Sequence, residues 1–268
     1  MDIRVIKKTV DITNDIIDFY GNAVLLDLLT GESLFIGLRF PANSIYFKVK
    51  TPNDLAGSIS IGLWNTVEFR NVAEINDQTG FFSKSGKISF EPNKNESWQR
   101  QDTEHIAELN TFDIYDRYWI KITALNDLNP LTEIQWCGQM LLESDADIEN
   151  EHPILSRTSL KSAFKAGKTT WEDQRFKASE LVIQDLIAKN IIIAGEQILD
   201  TEKLKNATVA RCAQIIYGAF GDDYLDQAQE AQNEYKRRTT NMALYIDRTN
   251  TAKINDVVVH TRELRMSR

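Results

Sequence analysis

The chain has 268 residues, 42% hydrophobic and 26% charged, a balance that suits one large globular domain or two of ordinary size, each burying its own core. A net charge of −8 argues against a protein whose main task is to neutralise nucleic-acid phosphates, because such binding draws on excess Lys and Arg. No apolar run approaches the roughly 20 residues that cross a bilayer, and MDIRVIKKTVDITND lacks the apolar centre of a secretion signal, so folding in a cytoplasm is expected.

Residues 1–20 read as an N-terminal arm. From about Val24 to Leu142 the dominant period is two, the mark of half-buried strands. Ile59, Ile61 and Leu63 alternate with small or polar residues, as do Tyr118, Ile120 and Ile122, and Ile134, Trp136, Met140 and Leu142 fall on one face of a further segment. Leu34–Phe40, Ile45–Val49, Thr66–Arg70 and Lys87–Phe90 are further strands, parted by turn signals such as Thr30-Gly31 and Asn126-Asp127. Roughly eight short strands without a helical pattern predict a jelly-roll-like all-β sandwich over 21–143.

Within that region GFFSKSGKIS, residues 80–89, has the look of a phosphate-binding loop. Its glycines are one residue too far apart and Ile88 stands where the magnesium-binding hydroxyl belongs, so it reads as a hairpin turn leading into a strand. A second near-match, Ser162 to Thr169, has the spacing but serine for the first glycine.

Residues 144–168 open with acids at alternate positions, Asp145, Asp147, Glu149 and Glu151, and then His152-Pro153. A calcium loop would add glycine and a bidentate glutamate, so a solvated acidic linker is expected. Beyond it the period becomes helical. Thr169 and Glu172 have capping-box spacing ahead of Phe176, Leu181, Val182, Leu186 and Ile187. A second helix carries Leu204, Ala207, Thr208, Arg211, Ile215 and Ile216, and a third carries Leu225, Ala228, Ala231, Tyr235 and Met242. Lys236-Arg237-Arg238, in the last part of that third helix, complements its dipole. Leu244 to Val259 reads as a hairpin, so 169–268 is predicted as a helical bundle with a C-terminal β-hairpin and arm.

Side chains for chemistry are sparse. His105, His152 and His260 lack partners at metal-ligand spacing, and Cys137 and Cys212 lie far apart with no nearby base, which suits apolar packing. Acid pairs such as Asp113/Asp116 and Asp222/Asp223 read as surface charges. No catalytic, cofactor or metal residues are expected. Trp64, Trp119 and Trp136 read as core, whereas Trp98, in a loop, is the candidate ligand contact.

The run Leu63-Trp64-Asn65, then Gly80 to Pro92, Ser97-Trp98 and Arg117 to Ile122 resembles a β-sandwich of tailed-bacteriophage tail and neck proteins. The second half is similar to bacteriophage head-to-tail adaptor (connector) proteins at Leu181 to Leu186, Ala210 to Asp223, Tyr235 to Arg238 and Leu244 to Asp247. The resemblance implies a non-enzymatic virion structural protein at the head-tail junction, assembled in the host cytoplasm. It implies a ring homo-oligomer, commonly dodecameric, beneath the portal protein and beside other neck or tail proteins, with dsDNA passing through unbound. The interface it implies involves Ile246, Asp247, Val257 and Val259 of the hairpin and Arg262, Arg265 and Arg268 of the arm, the arginines suited to an acidic partner. A whole sandwich in front of a compact adaptor leaves a second reading, a carbohydrate-binding tail or baseplate module working through Trp98.

Overall fold

The computed structural model describes residues 2–91, 98–240, 243–247 and 256–259. The described residues contain antiparallel sheets and six α-helices, and the chain divides into two compact units, whose main parts are residues 1–139 and 140–248.

The first unit holds β1 (Ile3–Lys7), β2 (Val10–Asp11), α1 (Thr13–Ile16), β3 (Val24–Leu25), β4 (Ser33–Leu38), β5 (Ser44–Thr51) and β6 (Ile59–Trp64). After these come β7 (Phe69–Asn71), β8 (Ile75–Asp77), β9 (Gly86–Phe90), β10 (Arg100–Gln101), β11 (Arg117–Ala124) and β12 (Glu133–Gly138). One sheet runs β2-β1-β4-β11-β6-β7, with β10 paired to β11, and the other runs β3-β12-β5-β9-β8. Val5, Leu34, Ile36, Ile61, Ile120 and Ile122 of the first sheet share one core with Ile45, Phe47, Ile88, Ile134 and Cys137 of the second. Alternation produces this arrangement, since residues two apart on a strand face the same way.

The expected N-terminal arm is a strand of that sheet. β1 pairs with β4 at Val5↔Ile36, and Ile3 and Val5 enter the shared core, so burial and strand pairing hold this segment in the fold. β4 is buried along its whole length because its second face is covered as well. There Phe35 packs with Ile6, Trp64, Trp119, Ile106 and Leu109, the last two from the loop between β10 and β11.

The predicted face of Ile134, Trp136, Met140 and Leu142 is not formed. Register shifts against β5 interrupt the alternation of β12, so Ile134 and Cys137 point into the core while Trp136 meets Phe19 at 5.2 Å on the opposite face. Met140 and Leu142 belong to the second unit.

GFFSKSGKIS links β8 to β9 as a hairpin. Gly80, Phe81 and Phe82 all have positive φ (57°, 59° and 62°), a left-handed turn held by side chains. Asp77 accepts N–H bonds from Thr79 (2.9 Å) and Phe81 (2.8 Å), and Thr79 Oγ1 accepts from Phe82 N–H at 3.0 Å. Those donors are committed to the fold, and both phenylalanines are buried.

The second unit contains α2 (Ala146–Glu149), α3 (Thr158–Phe164), α4 (Glu172–Ala188), α5 (Glu202–Gly218), α6 (Leu225–Thr240) and a hairpin of β13 (Ala243–Ile246) and β14 (Asp256–Val259). Its apolar residues form two clusters, one around Val182, Leu204 and Ala207 and one around Trp171, Val209, Cys212 and Ile216. The stretch expected as a solvated linker is folded into this unit, and each alternate acid takes a cation from a different helix. Asp145 pairs with Arg175 of α4 (3.1 Å), Asp147 with Lys205 of α5 (2.8 Å), Glu149 with Lys161 of α3 (2.8 Å) and Glu151 with Arg238 of α6 (2.8 Å). Arg175, Lys205 and Arg238 lie far along the sequence from their acids, which is why the acids looked solvated.

The predicted capping box is also replaced. α4 begins at Glu172 after Trp171, and the Trp171 N–H donates to Asp145 Oδ2 at 2.9 Å. A carboxylate beside the first turn favours the positive end of the helix dipole.

Candidate functional site

The hairpin expected to form an interface is rooted in the interior of the second unit. β13 and β14 pair at Leu244↔Val258 and Ile246↔Asp256. Leu244 and Ile246, two apart on β13, are both 1% exposed and pack with Val182, Leu186, Ile191, Ile198, Leu204 and Tyr235.

Gln197 latches the next residue. Its backbone carbonyl accepts the Asp247 N–H at 2.9 Å, its Nε2 donates to the Asp247 carbonyl at 3.0 Å, and its Oε1 accepts the Ile193 N–H at 2.7 Å. Ile198 forms a bridge with Ile246 beside this latch. Ile246 and Asp247 therefore serve as the root of the hairpin rather than as exposed contacts, a correction that follows from their burial. Val257 and Val259 lie on the second strand, opposite Tyr245 and Ala243. Arg262, Arg265 and Arg268 lie outside the described residues.

The helices behind the root are joined by a polar triad. The Tyr235 hydroxyl donates to Asp185 at 2.5 Å, and the Arg211 guanidinium lies 5.1 Å from the Tyr235 ring centre. Burial and the neighbouring Asp185 carboxylate push the Tyr235 hydroxyl far above the ordinary phenol range, so it remains a donor.

Trp98 stands elsewhere than expected. It is 7% exposed, its indole N–H donates to the Trp119 carbonyl at 3.1 Å, and its ring meets Phe90 at 6.3 Å and Tyr118 at 5.5 Å. Trp64, Trp119 and Trp136 are buried. Nearness to a loop in sequence gave no warning that Trp98 closes the core.

The remaining chemical candidates are dispersed. His105 is exposed beside Glu104, His152 packs edge-on to Tyr217 at 5.7 Å, and His260 lies outside the described residues. Burial pushes the Cys137 thiol up to about 12 and the Cys212 thiol higher still, which keeps both protonated. Asp116 pairs with Arg100 at 2.9 Å, while Asp113, Asp222 and Asp223 are exposed. Among the described residues no group of His, Cys, Asp and Glu is arranged to hold a metal ion, and no helix is long and apolar enough to cross a membrane.

The residues sequence reasoning missed are Gln197, which holds the hairpin root, and Asp145, which joins two helices. A glutamine and one acid among several carry no periodic signal. No family model matches the sequence, and no curated protein matches it.

Proposed function

We propose that this chain is a non-enzymatic structural protein of a tailed-phage virion, a head-to-tail adaptor that forms a ring beneath the portal and continues the DNA channel. In this reading the first unit is a jelly-roll-like sandwich that faces a neighbouring neck or tail protein, and the second is a helical bundle that builds the ring wall. The observation that carries the reading, beside the sequence resemblance, is the buried root of the hairpin at Leu244, Ile246 and Asp247. A β-ribbon fixed at its base by an apolar core and a glutamine latch can transmit load from a docked partner into the helices.

The acidic balance accords with a channel that DNA slides past without gripping its wall. The carbohydrate-binding alternative needs an accessible aromatic platform, and nothing at Trp98 supplies one, since its ring and its indole N–H are engaged in the core.

The test is assembly. Purified protein, alone or mixed with its portal, should give rings in negative-stain micrographs, and antibody label should fall on the virion neck. Strictly monomeric behaviour together with absence from virions by mass spectrometry rejects the reading.

A further inference from the structure

Three loops at one end of the first unit, residues 28–32, 53–58 and 124–131, are bonded to one another. Asn53, 2% exposed, accepts the Asn129 N–H at 2.9 Å and donates to the carbonyls of Leu55 (2.9 Å) and Phe81 (3.0 Å). Asp127 accepts the backbone N–H and the hydroxyl of Thr30, both at 2.7 Å, and the Leu128 N–H donates to the Leu28 carbonyl at 2.9 Å.

These loops present four leucines to water: Leu29 is 55% exposed, Leu55 47%, Leu125 47% and Leu131 67%. Each has its backbone fixed. The Leu29 N–H donates to Glu32 at 2.7 Å, the Leu55 N–H to Asn53 Oδ1 at 3.3 Å, the Leu125 N–H to the Ser58 carbonyl at 3.0 Å and the Leu131 N–H to Asn129 Oδ1 at 2.9 Å. Polar side chains and backbone groups make these bonds, so the turns require leucine at none of the four positions. An aliphatic side chain held out from an ordered backbone has little freedom left to lose on binding, which lowers the cost of docking.

The charge around the leucines has one sign. The three loops contain no Lys or Arg. Glu32 takes Lys8 from outside them at 2.8 Å. Asp54 and Asp127 are exposed and bonded to the uncharged Asn129 and Thr30, with no ion pair among the described residues. The apolar surface amounts to a few hundred Å², the size of functional patches on monomers, and falls short of the roughly 800 Å² per partner of a stable protein–protein interface. A short peptide segment fits that area better than a second globular face. Asp54 and Asp127 select a cationic segment, and the same acids set two copies of this end against each other by like charge.

We propose that this end of the first unit is a docking site for a short segment of another protein, one that carries aliphatic side chains flanked by Lys or Arg. The leucines bury the aliphatic side chains, and Asp54 and Asp127 meet the cations at the rim, where charges govern partner choice and encounter rate more than affinity. The inference deepens the adaptor reading and rests on it only for a neighbouring neck or tail protein that supplies the segment.

The test selects from a library of random short peptides on the immobilised full chain. Enriched sequences should combine Leu, Ile, Val or Met with Lys or Arg, and a fluorescein-labelled peptide of the consensus should bind the full chain by anisotropy, more weakly as ionic strength rises. Leu29→Ser combined with Leu131→Ser, both at exposed positions and so compatible with an unchanged circular dichroism spectrum, should weaken binding by about tenfold as apolar contact is lost. Asp54→Lys with Asp127→Lys should weaken it by about tenfold as well, and should favour the same peptide with each Lys and Arg replaced by Glu. No enrichment, enrichment of acidic or wholly apolar peptides, or binding indifferent to the leucines overturns the assignment. So does self-association in sedimentation that the two serine substitutions abolish, since that gives the patch to a second copy of this chain. Absence from virions would reject the adaptor reading and leave peptide binding unchanged, so the two failures are distinguishable.

Discussion

Replacing Asp145 by asparagine removes the charge on which the second unit converges while nearly preserving side-chain shape. The carboxylate accepts from Arg175 Nε at 3.1 Å, Lys161 Nζ at 3.2 Å and Trp171 N–H at 2.9 Å. The side chains are only 16% (Asp145), 10% (Lys161) and 6% (Arg175) exposed, so water cannot replace the lost anion fully. Removing one partner from a buried pair costs about 3–5 kcal/mol. Lys161 keeps Glu149 at 2.8 Å and Arg175 keeps the Leu142 carbonyl at 3.1 Å, which places the expected cost at the lower end, about 3 kcal/mol.

Helices α4, α5 and α6 all lie in the second unit, so far-UV circular dichroism during urea unfolding reports chiefly on it. With a urea slope of ~2 kcal/mol per molar, the midpoint should fall by roughly 1–2 M. The exposed pair of Glu68 and Arg70 is the control: side chains 59% and 50% exposed at 3.0 Å predict a loss under about 0.5 kcal/mol for Glu68→Gln. An Asp145→Asn midpoint within error of the parent would refute the view that this carboxylate joins the helices.

Two further outcomes are expected. His152 is held below its ordinary value of 6.5, first by burial, against the opposing pull of Glu151, Glu234 and Glu230, and its Nε2 is buried without a hydrogen-bond partner among the described residues. The unfolded chain therefore takes the proton first, so this contribution to stability is complete above about pH 6.5 and is lost as pH falls through 6.5 toward the folded value. His152→Gln should flatten the urea midpoint over that window. Asp147 and Glu234, held below their ordinary values despite burial by Lys205 and Arg238 respectively, lose their contributions only at more acid pH, so an unaltered profile in the variant would contradict the assignment. Gly37→Ala would place a methyl 2.8 Å from the ring of Trp119, a fully buried side chain whose indole N–H is fixed to the Gln101 carbonyl at 3.0 Å. Overpacking of that kind costs about 1–3 kcal/mol, read as a lower melting temperature, and an unchanged value would show that the ring yields.

The sequence alone located the central strands of the first unit and the three long helices of the second, and it missed β1, α2 and α3. Alternation at Ile59, Ile61 and Leu63, and helical spacing at Leu204, Ala207 and Thr208, are local properties of the backbone period. The turn in GFFSKSGKIS was legible for the same reason.

Tertiary structure decided what those patterns could not express. It set the turning of Trp136 away from Cys137, the second covered face of β4, and the closure of the core by Trp98. It also placed Ile246 and Asp247 under the Gln197 latch and turned an acidic stretch into anchors for four helices. A periodic pattern states which side of an element avoids water, because that depends on neighbours two to four residues away. Which cation meets an acid, and which ring fills a gap, depends on residues tens of positions distant, so only the folded chain brings them within reach.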